Sequence, residues 1–145
     1  MRFILISIDG SPGADAAVAD GLELARDAGA RVLFVTVRPT ISILGAPYAQ
    51  EKLSGQMTFA RKAVDGASAR AAESGLEAES EILERDPAEQ VLGVARSRDV
   101  DLVAVGSRGR AGVSAALLGS VSRAIANGAD RPVLVVKKPE EVHGR

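Results

Sequence analysis

Four short apolar runs constrain this chain more than any other feature: Phe3 to Ile8, Val32 to Val37, Leu102 to Val105 and Val133 to Val136. They are rich in Val, Ile and Leu and do not alternate with polar residues. A strand with one wet face alternates, whereas a strand covered on both faces need not. The runs therefore predict parallel strands sandwiched between helices. Glu77 to Leu83 behaves differently. Ala78, Ser80 and Ile82 fall on one face and Glu79 and Glu81 on the other, the pattern of a half-exposed edge strand.

Helical patterns separate the strands. Ala14, Ala17, Val18, Gly21, Leu22 and Ala25 form one apolar stripe, and Leu53, Met57, Ala60, Val64, Ala67 and Ala71 a second. Asp86 before Pro87 marks a helix start, an N-cap followed by proline at the first helical position, with Ala88, Val91, Leu92 and Ala95 as the inner face. A last helix opens at Ser120, which can cap it, and turns Val121, Ala124 and Ile125 inward. The order βαβαβαβαβ predicts a single α/β domain with right-handed crossovers. With the third strand at an edge and the first central, the open five-stranded parallel sheet has order 3-2-1-4-5, with helices on both faces. Its topological switch lies between strands one and four, and ligands bind beyond the carboxyl ends of strands at such a switch. Asp9 and Gly106 stand at those two ends.

Gly106-Ser107-Arg108-Gly109 closes the fourth strand, nine residues follow, and Gly119-Ser120-Val121-Ser122 opens the last helix. Glycines let backbone amides approach an anion, hydroxyls add donors, and a helix N-terminus supplies unpaired N–H groups with the positive end of the dipole. The arrangement suits a phosphate, yet it matches neither common glycine motif. A Walker A loop needs Lys before its Ser or Thr, and Gly119 precedes Ser120. The dinucleotide fingerprint sits at the first strand-to-helix turn, where Asp9-Gly10-Ser11-Pro12-Gly13 has other spacing.

Each residue also has a plainer reading. Asp9 could accept from a ribose hydroxyl or an adenine amino group, or could simply serve the turn. Gly106 and Gly109 could end a strand; the segment Arg110 to Leu118 is too long and too rich in small residues for an ordinary turn. Arg108 and Arg110 could neutralise phosphate or lie in solvent. Val37 could offer its backbone to an adenine edge, with Ile8 in apolar contact, or belong to the core. Four charge-assisted hydrogen bonds would give roughly 6–12 kcal/mol, whereas micromolar binding needs about 8 kcal/mol net of an association cost on the order of 4–15. Phosphate contacts alone fall short, so a whole nucleotide is expected, with its base on Ile8, Asp9 and Val37.

Composition narrows the alternatives. Lys and Arg number 18 against 19 Asp and Glu, a net charge of −1 that argues against non-specific nucleic-acid binding. No cysteine is present, and the one histidine, His143, lies in a polar tail. Disulfides, thiolate metal sites and histidine triads are thereby excluded. The opening apolar run ends at Asp9, too short for a signal peptide or membrane span. A cytoplasmic protein without membrane contact is expected.

These features together resemble the universal stress protein family, from Ile4 to about Val136. The resemblance rests on the Ile8-Asp9-Gly10-Ser11 turn, the Asp101-Leu102-Val103 strand leading into Gly106, the Gly119-Ser120-Val121-Ser122 helix start and the closing Pro132-Val133-Leu134-Val135-Val136 strand. It implies a Rossmann-like fold of the adenine nucleotide alpha hydrolase type over residues 1–138, with a polar tail after it. The family's ATP-binding branch carries glycine, two residues, glycine, nine residues, then glycine with serine or threonine, and Gly106, Gly109, Gly119 and Ser120 complete that pattern. By resemblance, Asp9 and the backbone of Val37 would hold adenosine, Gly106 would approach the ribose, and the phosphates would lie on Gly109, Gly119, Ser120, Val121 and Ser122. One departure is Arg85, where many relatives have glycine two residues before the proline that starts the third helix.

The resemblance further implies a homodimer joined through Pro132, Val133, Leu134, Val135 and Val136, an apolar strand that would otherwise leave an open sheet edge. ATP, with Mg²⁺ as an open question, is the expected ligand, and a nucleotide-responsive stress or signalling module without fast turnover the expected function, with a protein partner not identified by sequence. A slow ATPase or autophosphorylating protein, using Ser120 or Ser122, is the enzymatic alternative. A nucleotide-free dimeric scaffold with a patch at Ile41, Ile43 and Leu44 is the third.

Overall fold

The unbroken apolar runs become strands whose alternate residues enter two different cores. The structure, a computed structural model, describes residues 1–9, 12–38, 49–107 and 119–137. Its elements are β1 (Phe3–Ser7), α1 (Pro12–Ala28), β2 (Arg31–Arg38), α2 (Ala49–Glu73), β3 (Ala78–Glu84), α3 (Pro87–Ser97), β4 (Leu102–Gly106), α4 (Ser120–Gly128) and β5 (Val133–Val136). All strand pairs are parallel and the order is β3-β2-β1-β4-β5. Ile4, Ile6, Val32 and Phe34 point to the face carrying α1 and α2, whereas Leu5, Leu33, Val35 and Val103 point to the face carrying α3 and α4. Because side chains alternate across a strand, two buried faces require apolar residues at consecutive positions.

Three helices end by one device. After α1, α2 and α3 the N–H groups of Ala30, Leu76 and Val100 donate to the carbonyls of Ala25, Ala71 and Ala95, five residues back. That six-to-one bond needs a left-handed residue before the donor, and Gly29, Gly75 and Asp99 supply φ of 68°, 72° and 51°. At the start of α3, Asp86 Oδ2 accepts from the Glu89 N–H at 2.9 Å, with Pro87 opening the helix.

β3 is an edge strand, hydrogen-bonded only to β2. Its three glutamates are all paired: Glu79 bridges Arg31 and Arg98, Glu81 also meets Arg98, and Glu84 meets Arg38. Exposed pairs of this kind contribute about 0–1 kcal/mol each, so they blunt the edge more than they stabilise it. Two helix faces differ from the periodicity. On α2, Ala60, Val64, Ala67 and Ala71 are buried, but Met57 is exposed. On α4, Ile125 is buried and Val121 half-buried, but Ala124 faces solvent and Ser122 takes the inner position. Among the described residues, no helix is long and apolar enough to cross a membrane.

Candidate functional site

The switch between β1 and β4 is where the chain leaves the sheet in opposite directions. β1 feeds α1 on one face, β4 leads toward α4 on the other, and the carboxyl ends of both strands open into one crevice. Ile8 extends β1 past its last strand residue by donating its N–H to the Val35 carbonyl at 2.9 Å, and its side chain is buried among residues of the α1 and α2 face. Asp9 follows, half-buried, at the mouth of the crevice. Val37 lies near the end of β2 in register with Leu83 of β3, and its half-buried side chain packs on the opposite core.

Gly106 ends β4 against the start of α1. A Cβ built there would lie 2.6 Å from the backbone carbon and oxygen of Gly13 and 3.0 Å from the Ala14 nitrogen. Backbone cannot yield as a flexible side chain can, so the contact itself requires glycine. Gly13 is the partner residue that sequence alone does not single out. The pair allows the N-terminus of α1 to touch the end of β4.

The next residue makes the matching contact with α4. Ser107 is buried; its N–H donates to the Val136 carbonyl at 2.8 Å, tying it to β5. Its carbonyl accepts the Gly119 N–H at 2.7 Å and the Ser122 hydroxyl at 3.0 Å. Ser107 and Gly119 thus form a closed neck for the intervening segment. Gly119, not Ser120, is the N-cap residue, and no side chain caps the helix. The amides of Ser120, Val121 and Ser122 belong to the first turn, which has no intrahelical acceptors.

The last two residues at the β4 end therefore meet the N-termini of two helices on opposite faces of the sheet. Each helix presents roughly half a positive charge there, so the crevice is electropositive without depending on an arginine. Ser120 is exposed on it. Ser122 is not: its buried hydroxyl, with one proton, lies 3.0 Å from both the Ser107 and Gly119 carbonyls. Arg108 and Gly109 lie outside the described residues, as do Arg110, Ile41, Ile43 and Leu44.

The carboxylates with clear pKa shifts stand at the opposite end of the sheet. Backbone N–H groups of Arg2 and Phe3 hold the Asp101 carboxyl below its usual range, at 2.7 and 2.9 Å from Oδ2. The Arg131 guanidinium does the same for Asp130. Asp101, a residue on which the sequence resemblance drew, thus fastens the start of β1 to the start of β4, far from the crevice.

Comparison with known proteins places this geometry. The model of the universal stress protein family matches residues 1–137. Universal stress protein YxiE of Bacillus subtilis is 31% identical over 144 residues, spanning 92% of this chain and 97% of the relative. A universal stress protein of Thermus aquaticus is 34% identical over 137 residues, with 94% and 98% covered. Among solved structures, a universal stress protein family member from Burkholderia pseudomallei superposes with a TM-score of 0.78 at 28% identity, covering 93% of this chain and 95% of the other. A family protein from Arabidopsis thaliana with AMP bound gives 0.76 at 18% identity (96% and 93% covered). The Archaeoglobus fulgidus protein in complex with dAMP gives 0.69 at 23% (94% and 98% covered).

Proposed function

The chain belongs to the universal stress protein family, and from that premise we propose that it binds an adenine nucleotide, ATP, in the crevice between β1 and β4. The observation that supports this most is the meeting of two helix N-termini on Gly106 and Ser107, beside Asp9. In this reading the phosphates lie on the amides of Gly119, Ser120, Val121 and Ser122, joined by Gly109 and by Arg108. Asp9 and the Val37 backbone hold the adenosine against Ile8, and Gly106 leaves room at the ribose. The family relatives solved with AMP and dAMP support an adenine nucleotide as the ligand class.

The chain then acts as a nucleotide-responsive module rather than a fast enzyme. ATP drawn onto the first turn of α4 pulls on the Ser107–Gly119 neck, a change that a protein partner reads. The autophosphorylation alternative is disfavoured at Ser122, whose proton is directed at two carbonyls in a buried position; the exposed Ser120 is the acceptor to examine. Mg²⁺ would accompany the phosphates without a dedicated carboxylate pair from the loop.

A ligand series tests the assignment. Adenosine, AMP, ADP and ATP are titrated into nucleotide-stripped protein, with and without Mg²⁺. Affinity should rise along the series, because each added phosphate gains charge-assisted bonds of about 1.5–3 kcal/mol. Equal affinity for adenosine and ATP would remove the phosphates from α4 and defeat the reading.

A further inference from the structure

Two buried polar atoms stand without a partner on the face of the sheet that carries α2. Among the described residues, Arg38 Nε and Gln56 Oε1 are the buried side-chain atoms that make no hydrogen bond. One is a donor and the other an acceptor. Buried polar groups are nearly always satisfied in native proteins, so a complementary pair left open is a departure with a cause.

The sequence brings both to one place. Arg38 ends β2, and alternation from Val32 and Phe34 puts its side chain on the face carrying α2. Only 11% of that side chain is exposed, and its Nη2 pairs with Glu84, its register partner on β3. Gln56 stands four residues before Ala60 on the stripe that Val64, Ala67 and Ala71 continue, all four of them buried. It thus takes the inner position that periodicity gives to Met57. The level agrees as well. α2 ends at Glu73, shortly before Ala78, the register partner of Val32, so Ala71 and Val32 share one end of the sheet. From that end the helix covers about 22 Å to Gln56, and the strand about 20 Å to Arg38.

Backbone bonding joins Arg38 to the crevice. On β2, Arg31 and Val35 bond toward β1, to the Arg2 carbonyl and the Ile8 N–H, whereas the Arg38 carbonyl accepts from Arg85 on the β3 side. By the same alternation the N–H and C=O of Val37 face the β1 side, beyond the bond of Ile8, and so face the crevice. Arg38 is therefore held on the β3 side by Glu84 and Arg85, and its Nε is the group left to bond across to α2.

We propose that Arg38 and Gln56 are positioning residues for the base-binding edge at Val37. In a second arrangement of these side chains Arg38 Nε–H donates to Gln56 Oε1, and this bond and a bound adenine favour each other. The proposal rests on the nucleotide reading. A base on Val37 restrains the end of β2 and lowers the cost of ordering Arg38. A bonded Arg38 in turn holds the Val37 edge ready for the base.

Gln56→Leu tests this, because leucine keeps the length and helix propensity of glutamine and removes the acceptor. Adenosine and ATP are titrated by calorimetry into nucleotide-stripped wild type, Gln56→Leu and Gln56→Glu, and unfolding midpoints are measured without nucleotide. Gln56→Leu should unfold at or above the wild-type midpoint, since an unsatisfied buried acceptor is gone. It should nevertheless bind adenosine and ATP at least fivefold more weakly, by the same factor, because the lesion is at the base end. Gln56→Glu keeps an acceptor for Nε–H and should bind within twofold of wild type. A residue that only supports the fold would move stability and affinity in the same direction. Wild-type affinity in Gln56→Leu, with wild type binding ATP, would overturn the positioning role and leave the nucleotide reading standing. A lowered midpoint for Gln56→Leu, a loss for ATP without one for adenosine, or Gln56→Glu as weak as Gln56→Leu would also overturn it. No binding by wild type would overturn both readings.

Discussion

Arg85 occupies a backbone conformation that its side chain opposes. Its φ is 94°, and its N–H is held by the Arg38 carbonyl at 3.1 Å, so the turn from β3 into the cap of α3 cannot relax to a negative angle. Glycine, with no Cβ, would adopt this angle without penalty. Left-handed strain of about 1–2 kcal/mol, less about 0.4–1 kcal/mol for the looser unfolded chain of a glycine variant, leaves a net gain of about 1 kcal/mol. Arg85→Gly should therefore raise the urea midpoint, and a lower midpoint would refute this account of the turn. Asp101 makes a different residue-scale prediction. Its pKa is depressed below 3.8 by the Arg2 and Phe3 N–H groups, so its contribution to stability is present above the unfolded value and is lost as pH falls through the folded one. Asp101→Asn should be less stable than wild type at neutral pH, with the gap closing as pH drops below about 4. Urea unfolding at both pH values checks this, and a gap that does not narrow with pH would contradict it.

At the scale of elements, the strands were legible because two buried faces write continuous apolar runs, and the start of α3 because Asp86 and Pro87 mark it, whereas the left-handed caps at Gly29 and Gly75 were not singled out. The start of α4 was less legible. Its inner face includes Ser122, not Ala124, because the Ser122 hydroxyl reaches a carbonyl fifteen residues away, a tertiary demand that no periodicity reveals. For the same reason Ser107 and Gly13 escaped notice: one is defined by its bonds to β5 and α4, the other by the Cβ space it leaves to Gly106. β5 carries the element-scale prediction. The carbonyls of Pro132 and Val136 accept from Val103 and Ser107, so by alternation the backbone groups of Val133 and Val135 face away from β4. A homodimer joined through this edge would pair those groups across its axis. Val135→Pro removes an outward donor and leaves the bonds to β4, so sedimentation should show a dimer for wild type and a monomer for the variant. A variant that remains dimeric would move the interface elsewhere.

For the whole molecule, the parallel sheet gathers both chemical ends of the chain at one rim. Asp9 and Gly106 lie almost a hundred residues apart in sequence, yet the switch between β1 and β4 makes them neighbours in one crevice, and both helices that begin there point their positive ends inward. This convergence was readable from strand order alone, whereas the source of the positive potential required coordinates. The opposite rim is fastened by side chains, where Asp101 and Arg131 tie strand starts together. The most direct test is a calorimetric titration of nucleotide-stripped protein with ATP, in parallel with Gly119→Val, which crowds the first turn of α4 while Asp9 and Val37 remain. The account predicts micromolar binding near one per chain in wild type and at least a tenfold loss in the variant, about 1.4 kcal/mol or more. Unchanged affinity in a folded Gly119→Val protein, or no binding by wild type, would contradict it.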